Sequence, residues 1–270
     1  MNALNFNQKW ILVTGASSGL GYEMAQQLAR KYKANLIVAA RRADKLNQLK
    51  TELEQQAGVQ VKVVVADLSV PEDIDRLLQE SLNGQQLYGA ILNAGVTFFG
   101  PHADMPAGDF ERLLQTNVVS VVRLTTELVK HFEQPGREGG IMVVSSMAAL
   151  FPVPYQAVYS GTKAFIMSFV NALALEITNP QLSLTVYAPG GIATEMTEGE
   201  KFNDLKGWLM PVAQAAHEGL DALQQRKYNH VPGALNRIGG AFMKLMPKKF
   251  IVGQLGKTYR KSLAKLQESK

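Results

Sequence analysis

Short apolar runs closed by glycine, asparagine or proline alternate along this chain with longer segments whose apolar residues recur every three to four positions. That alternation predicts strands interleaved with amphipathic helices. Residues 10–13 form the first apolar run, a glycine-rich loop follows at 14–21, and residues 22–31 read as a helix. Further strands are expected at 34–40, 59–66, 87–92, 140–146 and 182–188, with helices at 43–56, 71–81, 109–131 and 155–177. Strands that take turns with helices form a parallel sheet covered on both faces, in which ligands gather at the strands' carboxyl ends. The pattern therefore predicts an α/β doubly wound parallel sheet, a Rossmann fold, as one catalytic and dinucleotide-binding domain over residues 1–232. A basic amphipathic helical extension follows over 233–270.

Candidate chemistry sits at those strand ends. In Thr14-Gly15-Ala16-Ser17-Ser18-Gly19-Leu20-Gly21 the glycines allow a tight turn and close approach of backbone N–H groups to a pyrophosphate at a helix N-terminus. The second strand ends in Arg41-Arg42, about 20 residues after the loop, where such folds discriminate the ribose. Two guanidiniums suit the 2′-phosphate of NADP(H) better than the bare hydroxyl of NAD. Asp67, followed by Leu68, is placed either to meet an adenine edge or to cap the next helix, although Ser69 or Val70 with Pro71 supplies a better cap. Asn93-Ala94-Gly95 closes the fourth strand with small residues, and Asn93 is expected to satisfy backbone groups there. Asn117 interrupts an apolar helix face as either a structural bridge or part of a polar chain to the site.

Tyr159 and Lys163 lie four residues apart in an expected helix and so share one face. A cation beside a phenol favours the phenolate and lowers its pKa, and such a pair can exchange a proton with a carbonyl or alcohol oxygen. The fifth strand ends just before this helix in Ser145-Ser146, and the sixth ends in Pro189-Gly190-Gly191-Ile192-Ala193-Thr194.

Composition narrows the classes. The chain has 270 residues and no cysteine, which excludes disulfides, thiolate metal sites and a cysteine nucleophile. Its four histidines lack metal-ligand spacing, and no apolar run approaches the ~18 to 20 residues that span a bilayer. With a polar N-terminal segment, the expectation is a cytoplasmic protein. The net charge of +5 belongs to the end of the chain: residues 226–270 hold 11 Lys or Arg against Glu268 alone. The preceding body is mildly acidic and gives no reason to expect nucleic acid.

Taken together, the glycine loop, Asp67, Asn93-Ala94-Gly95, Asn117, Ser146, Tyr159-x-x-x-Lys163 and Pro189-Gly190 resemble the short-chain dehydrogenase/reductase family, in its single-domain branch. The resemblance implies six or seven parallel strands, a nicotinamide cofactor, a homodimer or homotetramer, and interconversion of a carbonyl and an alcohol. It implies that Tyr159 donates the proton, that Lys163 lowers its pKa and holds the nicotinamide ribose, and that Ser146, thirteen residues before the tyrosine, binds the same oxygen. Asn117 would anchor a water, and Thr194 the carboxamide. Gly161 departs from the usual alanine or serine, and close packing is expected there.

On the substrate side, Phe98, Phe99, Met196, Phe202, Trp208, Leu209 and Met210 either line an apolar cavity for a lipophilic ketone or aldehyde or are simply core. In the tail, apolar residues interleaved with lysines read as two short basic helices broken by Pro247. They suit peripheral attachment to an anionic membrane at its inner surface, or an oligomer contact or lid. The expected function is NADPH-dependent reduction of a hydrophobic carbonyl compound. The alternative is a non-catalytic NADP-sensing protein on the same fold, though a sensor needs no proton donor.

Overall fold

Strand β1 (Trp10–Thr14) shows why the sheet reads as continuous apolar runs: Ile11 and Val13 point into one core, Leu12 into the other, and all three are fully buried. The computed structural model describes residues 2–197, 209–243 and 245–268. Strands β2 (Asn35–Ala40), β3 (Val61–Val65), β4 (Leu87–Leu92), β5 (Gly139–Val144), β6 (Leu182–Tyr187) and β7 (Asn229–His230) join β1 in one parallel sheet of order β3-β2-β1-β4-β5-β6-β7. Strand order reverses between β1 and β4, which opens a crevice at their carboxyl ends.

Helices α1 (Gly19–Tyr32), α2 (Ala43–Ala57) and α7 (Val212–Gln224) cover one face through Met24, Leu28, Leu49, Leu53 and Leu220. Helices α3 (Pro71–Leu82), α5 (Ser120–Phe132) and α6 (Ala157–Leu173) cover the other through Leu77, Leu124, Leu128, Ile166 and Val170. The doubly wound single-domain expectation holds. Neither α7 nor β7 is anticipated from the sequence. Helix α7 packs small residues, Ala215, Ala216 and Gly219, into the core beside α1 and so shows few large apolar positions, and two residues of strand are too few to show a period.

The helix expected over 109–131 is three pieces: α4 (Ala107–Leu114), a π-helical turn (Gln115–Val119) and α5. The extra residue lies around Asn117, whose amide pairs with the backbone of Val96 rather than leaving the regular ladder undisturbed. Helix α6 begins at Ala157, not Tyr155, because Tyr155 holds a left-handed φ of 68°. Gly161 is exposed, and a Cβ there would meet nothing within 4 Å, so the close packing expected at this glycine is absent.

The tail forms α8 (Ala234–Met243) and α9 (Lys248–Glu268), the second much longer than expected. It folds back on the domain. Arg237 pairs with Glu218, a Cβ on Gly240 would lie 3.7 Å from Met147 Cε, and Ile251 is buried.

Candidate active site

The crevice is held to shape by Thr14. Its buried hydroxyl accepts from the N–H groups of Asn93 (3.0 Å) and Ala94 (3.1 Å), while Asn93 Nδ2 donates to the Thr14 carbonyl at 3.1 Å. Asn93 therefore satisfies backbone groups as expected, and Thr14 is a partner the sequence does not single out. Gly15 (φ 69°) and Gly19 (φ 55°) take left-handed conformations, and a Cβ on Gly21 would stand 2.4 Å from the Gly15 carbonyl oxygen. Only glycine fits this turn. Ser18 caps α1 with an extended backbone and without a side-chain hydrogen bond, so its hydroxyl does not occupy the first-turn amides. Leu20 is buried behind them. Those amides and the narrow turn fit a dinucleotide pyrophosphate.

At the end of β2, Arg42 Nε and Nη2 donate to Ser17 Oγ, both at 3.2 Å, and Nη1 and Nη2 reach Glu195 at 3.2 Å. Arg41 lies 3.9 Å from Asp67, whose carboxylate accepts from the Ser69 N–H (2.9 Å) and hydroxyl (2.7 Å). Val70 is the N-cap of α3 with Pro71 at the first helical position, as expected, without a side-chain cap hydrogen bond; Asp73, in the first turn, accepts from the Asp67 N–H at 2.7 Å and holds the preceding turn. Leu68 is buried beneath this turn. Two exposed guanidiniums and the Ser17 hydroxyl thus share one patch, which fits a ribose phosphate.

At the end of β5 two adjacent hydroxyls do different work. Ser145 is buried and donates to the Lys163 carbonyl at 2.8 Å, fixing α6 against the strand. Ser146 faces the crevice on the Tyr159 side and accepts from the Ala148 N–H at 3.1 Å. Its Oγ is also 3.5 Å from the Pro189 carbonyl, which accepts from the Met147 N–H at 2.8 Å. Lys163 is 5% exposed and donates to the Val144 carbonyl at 2.8 Å, with its ammonium 5.8 Å from the Tyr159 ring centroid.

Burial holds Lys163 down to about 8. Burial also raises the Tyr159 phenol above its usual value, and the neighbouring Ser146 hydroxyl opposes that rise. The expected lowering of Tyr159 by Lys163 is not found, because the ammonium points at Val144 rather than at the phenol.

Asn117, fully buried, accepts from the Val96 N–H (2.9 Å) and donates to the Val96 carbonyl (2.8 Å) and Thr162 Oγ1 (3.2 Å). Thr162 in turn donates to the Tyr159 carbonyl at 2.7 Å. Both donors of the amide are used, whereas Oδ1 keeps one lone pair beside Gly95, on the Lys163 side. Asn117 thus bridges the loop after β4 to α6, and its hydrogen bonds run on through Thr162 to the backbone of Tyr159.

The loop after β6 rests on the glycine turn: a Cβ on Gly19 would lie 3.2 Å from Thr194 Cβ. Gly190 abuts Met147 and Asn236, and Ile192 is buried and bridges to Met210. Phe98 lines a small apolar cavity with Met105, Gln156 and Tyr159, next to Tyr155 and His102. Phe202, Trp208 and the side chain of Met196 lie outside the described residues.

Beyond these expected residues, α9 reaches the same place. The Tyr259 ring lies 5.5 Å from that of Phe99, Arg260 Nε donates to the Tyr155 hydroxyl at 3.1 Å, and a Cβ on Gly256 would stand 3.2 Å from Pro154. No spacing in the sequence links Tyr259 to Tyr159 across 100 positions.

The family profile described as short chain dehydrogenase matches residues 9–204. Mouse 17-beta-hydroxysteroid dehydrogenase type 3 is 35% identical over 192 residues, 70% of this chain and 62% of the relative, so the match spans about three-fifths of that protein. The very-long-chain 3-oxoacyl-CoA reductase of Anas platyrhynchos is 29% identical over 266 residues, 97% of this chain and 83% of that one. Among solved structures, a short-chain dehydrogenase from Sphingobium yanoikuyae in complex with NADPH superposes with a TM-score of 0.77 at 26% identity, covering 88% of this chain and 94% of that one. The profile runs through the glycine turn, Asn93, Ser146, Tyr159 and Lys163, and the chain belongs to the short-chain dehydrogenase/reductase family.

Proposed function

We propose that the protein is an NADPH-dependent reductase of bulky apolar ketones or aldehydes. The observation that carries this reading is the convergence of Ser146, at the end of β5, with a Tyr159 phenol whose pKa burial raises and with a buried Lys163 on the same helix, tied to β5 through the Val144 carbonyl. When bound, the nicotinamide supplies the hydride that reaches the carbonyl carbon. Negative charge then grows on the carbonyl oxygen, where the Ser146 and Tyr159 hydroxyls donate to it. Tyr159 gives up its proton as the alcohol forms. Lys163 is a cation beside the resulting phenolate, and Asn117 Oδ1 has the free lone pair to hold a water on the path by which the proton is replaced. Arg41, Arg42 and Ser17 would take the 2′-phosphate, Asp67 and Leu68 the adenine side, and Pro189, Gly190, Ile192 and Thr194 the nicotinamide side. Asn93, Ala94 and Gly95 would let the ribose pass closely.

Support for a large apolar substrate comes from Phe98 and Met105 beside Tyr159, and from the names of the relatives, a hydroxysteroid dehydrogenase and a very-long-chain 3-oxoacyl-CoA reductase. The test is NADPH oxidation across a panel of ketones and aldehydes, with Tyr159→Phe as the reference. Oxidation well above that variant is expected with bulky members. No excess with any member would leave the sensing protein as the better reading.

A second observation favours attachment to an anionic membrane surface. Leu235, Ile238, Phe242 and Leu245 recur at helical spacing along α8 and just beyond it, all strongly exposed, and Phe250 is half exposed beside Lys248 and Lys249. An exposed apolar stripe next to lysines complements anionic headgroups. Flotation with anionic and with zwitterionic vesicles is expected to recover the protein on the anionic ones alone. Equal recovery for Ile238→Glu/Phe242→Glu on anionic vesicles would sink the idea.

A further inference from the structure

We propose that Tyr259, carried into the site by the tail, is a specificity-determining residue whose ring forms the outer wall of the substrate pocket and selects bulky, flat apolar ketones over small ones. The inference rests on the carbonyl-reductase reading of the same site.

Helix α9 is tied down on both sides of this tyrosine. Gly256 packs closely on Pro154, where a Cβ would leave only 3.2 Å, and Arg260 is hydrogen-bonded to the Tyr155 hydroxyl. Pro154 and Tyr155 immediately precede the helix that carries Tyr159, so the anchors set α9 over the mouth of the oxygen site. Between them the Tyr259 ring lies tilted against Phe99, the neighbour of the cavity-lining Phe98. Tyr259 is half-buried and close enough to Tyr159 that its charge would hold the Tyr159 phenol up. Burial keeps the Tyr259 hydroxyl itself protonated, so it meets a ligand as a neutral ring with one donor. A flat aromatic face packed beside Phe99, next to the cavity that Phe98 lines, gains contact only with a substrate broad enough to reach it. A small ketone held by Ser146 and Tyr159 leaves that face untouched.

Two readouts test this on the full-length protein. The first is steady-state kinetics with NADPH on cyclohexanone and on a fused-ring ketone such as a decalone or a 17-ketosteroid. Tyr259→Ala is expected to lower the bulky-to-small ratio of kcat/KM at least tenfold, chiefly through KM for the bulky ketone, and Tyr259→Phe to restore most of it. A ratio that stays within twofold in Tyr259→Ala overturns the proposal, as does an equal loss on both ketones through kcat. The second readout needs no turnover: calorimetric binding of the fused-ring ketone to the NADP⁺ complex, expected to weaken tenfold in Tyr259→Ala. Were no ketone to oxidise NADPH, the reductase reading would fall and this titration would still judge Tyr259. Failure of the bulky ketone to bind the native complex would overturn the proposal as well.

Discussion

Lys163→Met removes a cation that the fold confines almost entirely, and its effect on stability should depend on pH in a defined direction. In the unfolded chain the ammonium titrates near 10.5, and in the folded protein near 8. A lysine whose folded pKa is depressed costs stability wherever both states would otherwise be protonated. The full cost is present below about 8, shrinks as pH rises through that value, and is gone above 10.5. A tenfold change in proton affinity is worth about 1.4 kcal/mol, which puts the whole effect at about 3 kcal/mol. Methionine replaces the aliphatic stem of the side chain and carries no charge, so the pH dependence of the difference in unfolding free energy between native protein and variant isolates the ammonium. Urea unfolding followed by circular dichroism at a series of pH values from 7 to 10 is the assay. The native protein should gain on Lys163→Met by about 2 kcal/mol over that range, with the gain beginning near pH 8. A difference flat with pH would refute the assignment of a desolvated ammonium hydrogen-bonded to Val144.

Other expectations follow from the same contacts. Gly21→Ala places a Cβ against the Gly15 carbonyl and should weaken NADPH binding at least tenfold, measured by fluorescence titration, because the turn must open to admit it. Asn117→Ala strips the Val96 N–H and carbonyl of their partner and should cost about 1–3 kcal/mol in a urea melt. Under the proposed mechanism it also lowers kcat more than it raises KM. Glu195→Gln frees Arg42 from a competing carboxylate. It should tighten NADPH up to about fivefold at low salt while leaving NADH nearly unchanged, the ceiling set by the ~1 kcal/mol worth of an exposed ion pair. Replacing both Arg41 and Arg42 by alanine should raise KM for NADPH far more than for NADH.

How far the sequence reveals this molecule depends on the range of the interaction that decides each feature. Strand β4 is bounded correctly at Leu87 and Leu92 because a buried central strand is apolar throughout and Asn93 stops it. Gly15, Gly19 and Gly21 are legible because steric need at a turn is local. The π-helical turn is not, since an asparagine in an apolar helix looks the same whether it bonds to a neighbouring loop or faces water. Gly161 misleads for the converse reason: a helix-interior glycine signals lost side-chain volume without saying whether anything fills it, and here nothing does. The raised pKa of Tyr159 is likewise out of reach, because i,i+4 spacing fixes a shared face but not the carbonyl to which the lysine turns. The tail's amphipathic character is plain, whereas the pairing of Tyr259 with Phe99 depends on how α9 folds back over more than 100 residues of intervening chain.

The double tie between β5 and α6 has a mechanical consequence. Ser145 grips the carbonyl of Lys163, and the ammonium of that same lysine grips the carbonyl of Val144. Two bonds of opposite direction between neighbouring residues act as a keyed joint, which resists sliding along the helix axis as well as separation from the strand. Ser146 sits on one half of the joint and Tyr159 one turn along the other. Substitutions elsewhere on α6 that shift the helix must carry the joint with them, so the gap between the two hydroxyls is insulated from changes in the pocket walls. A laboratory reshaping Phe98 for another substrate is therefore working on a wall that can move without shifting the spacing of the two hydroxyls.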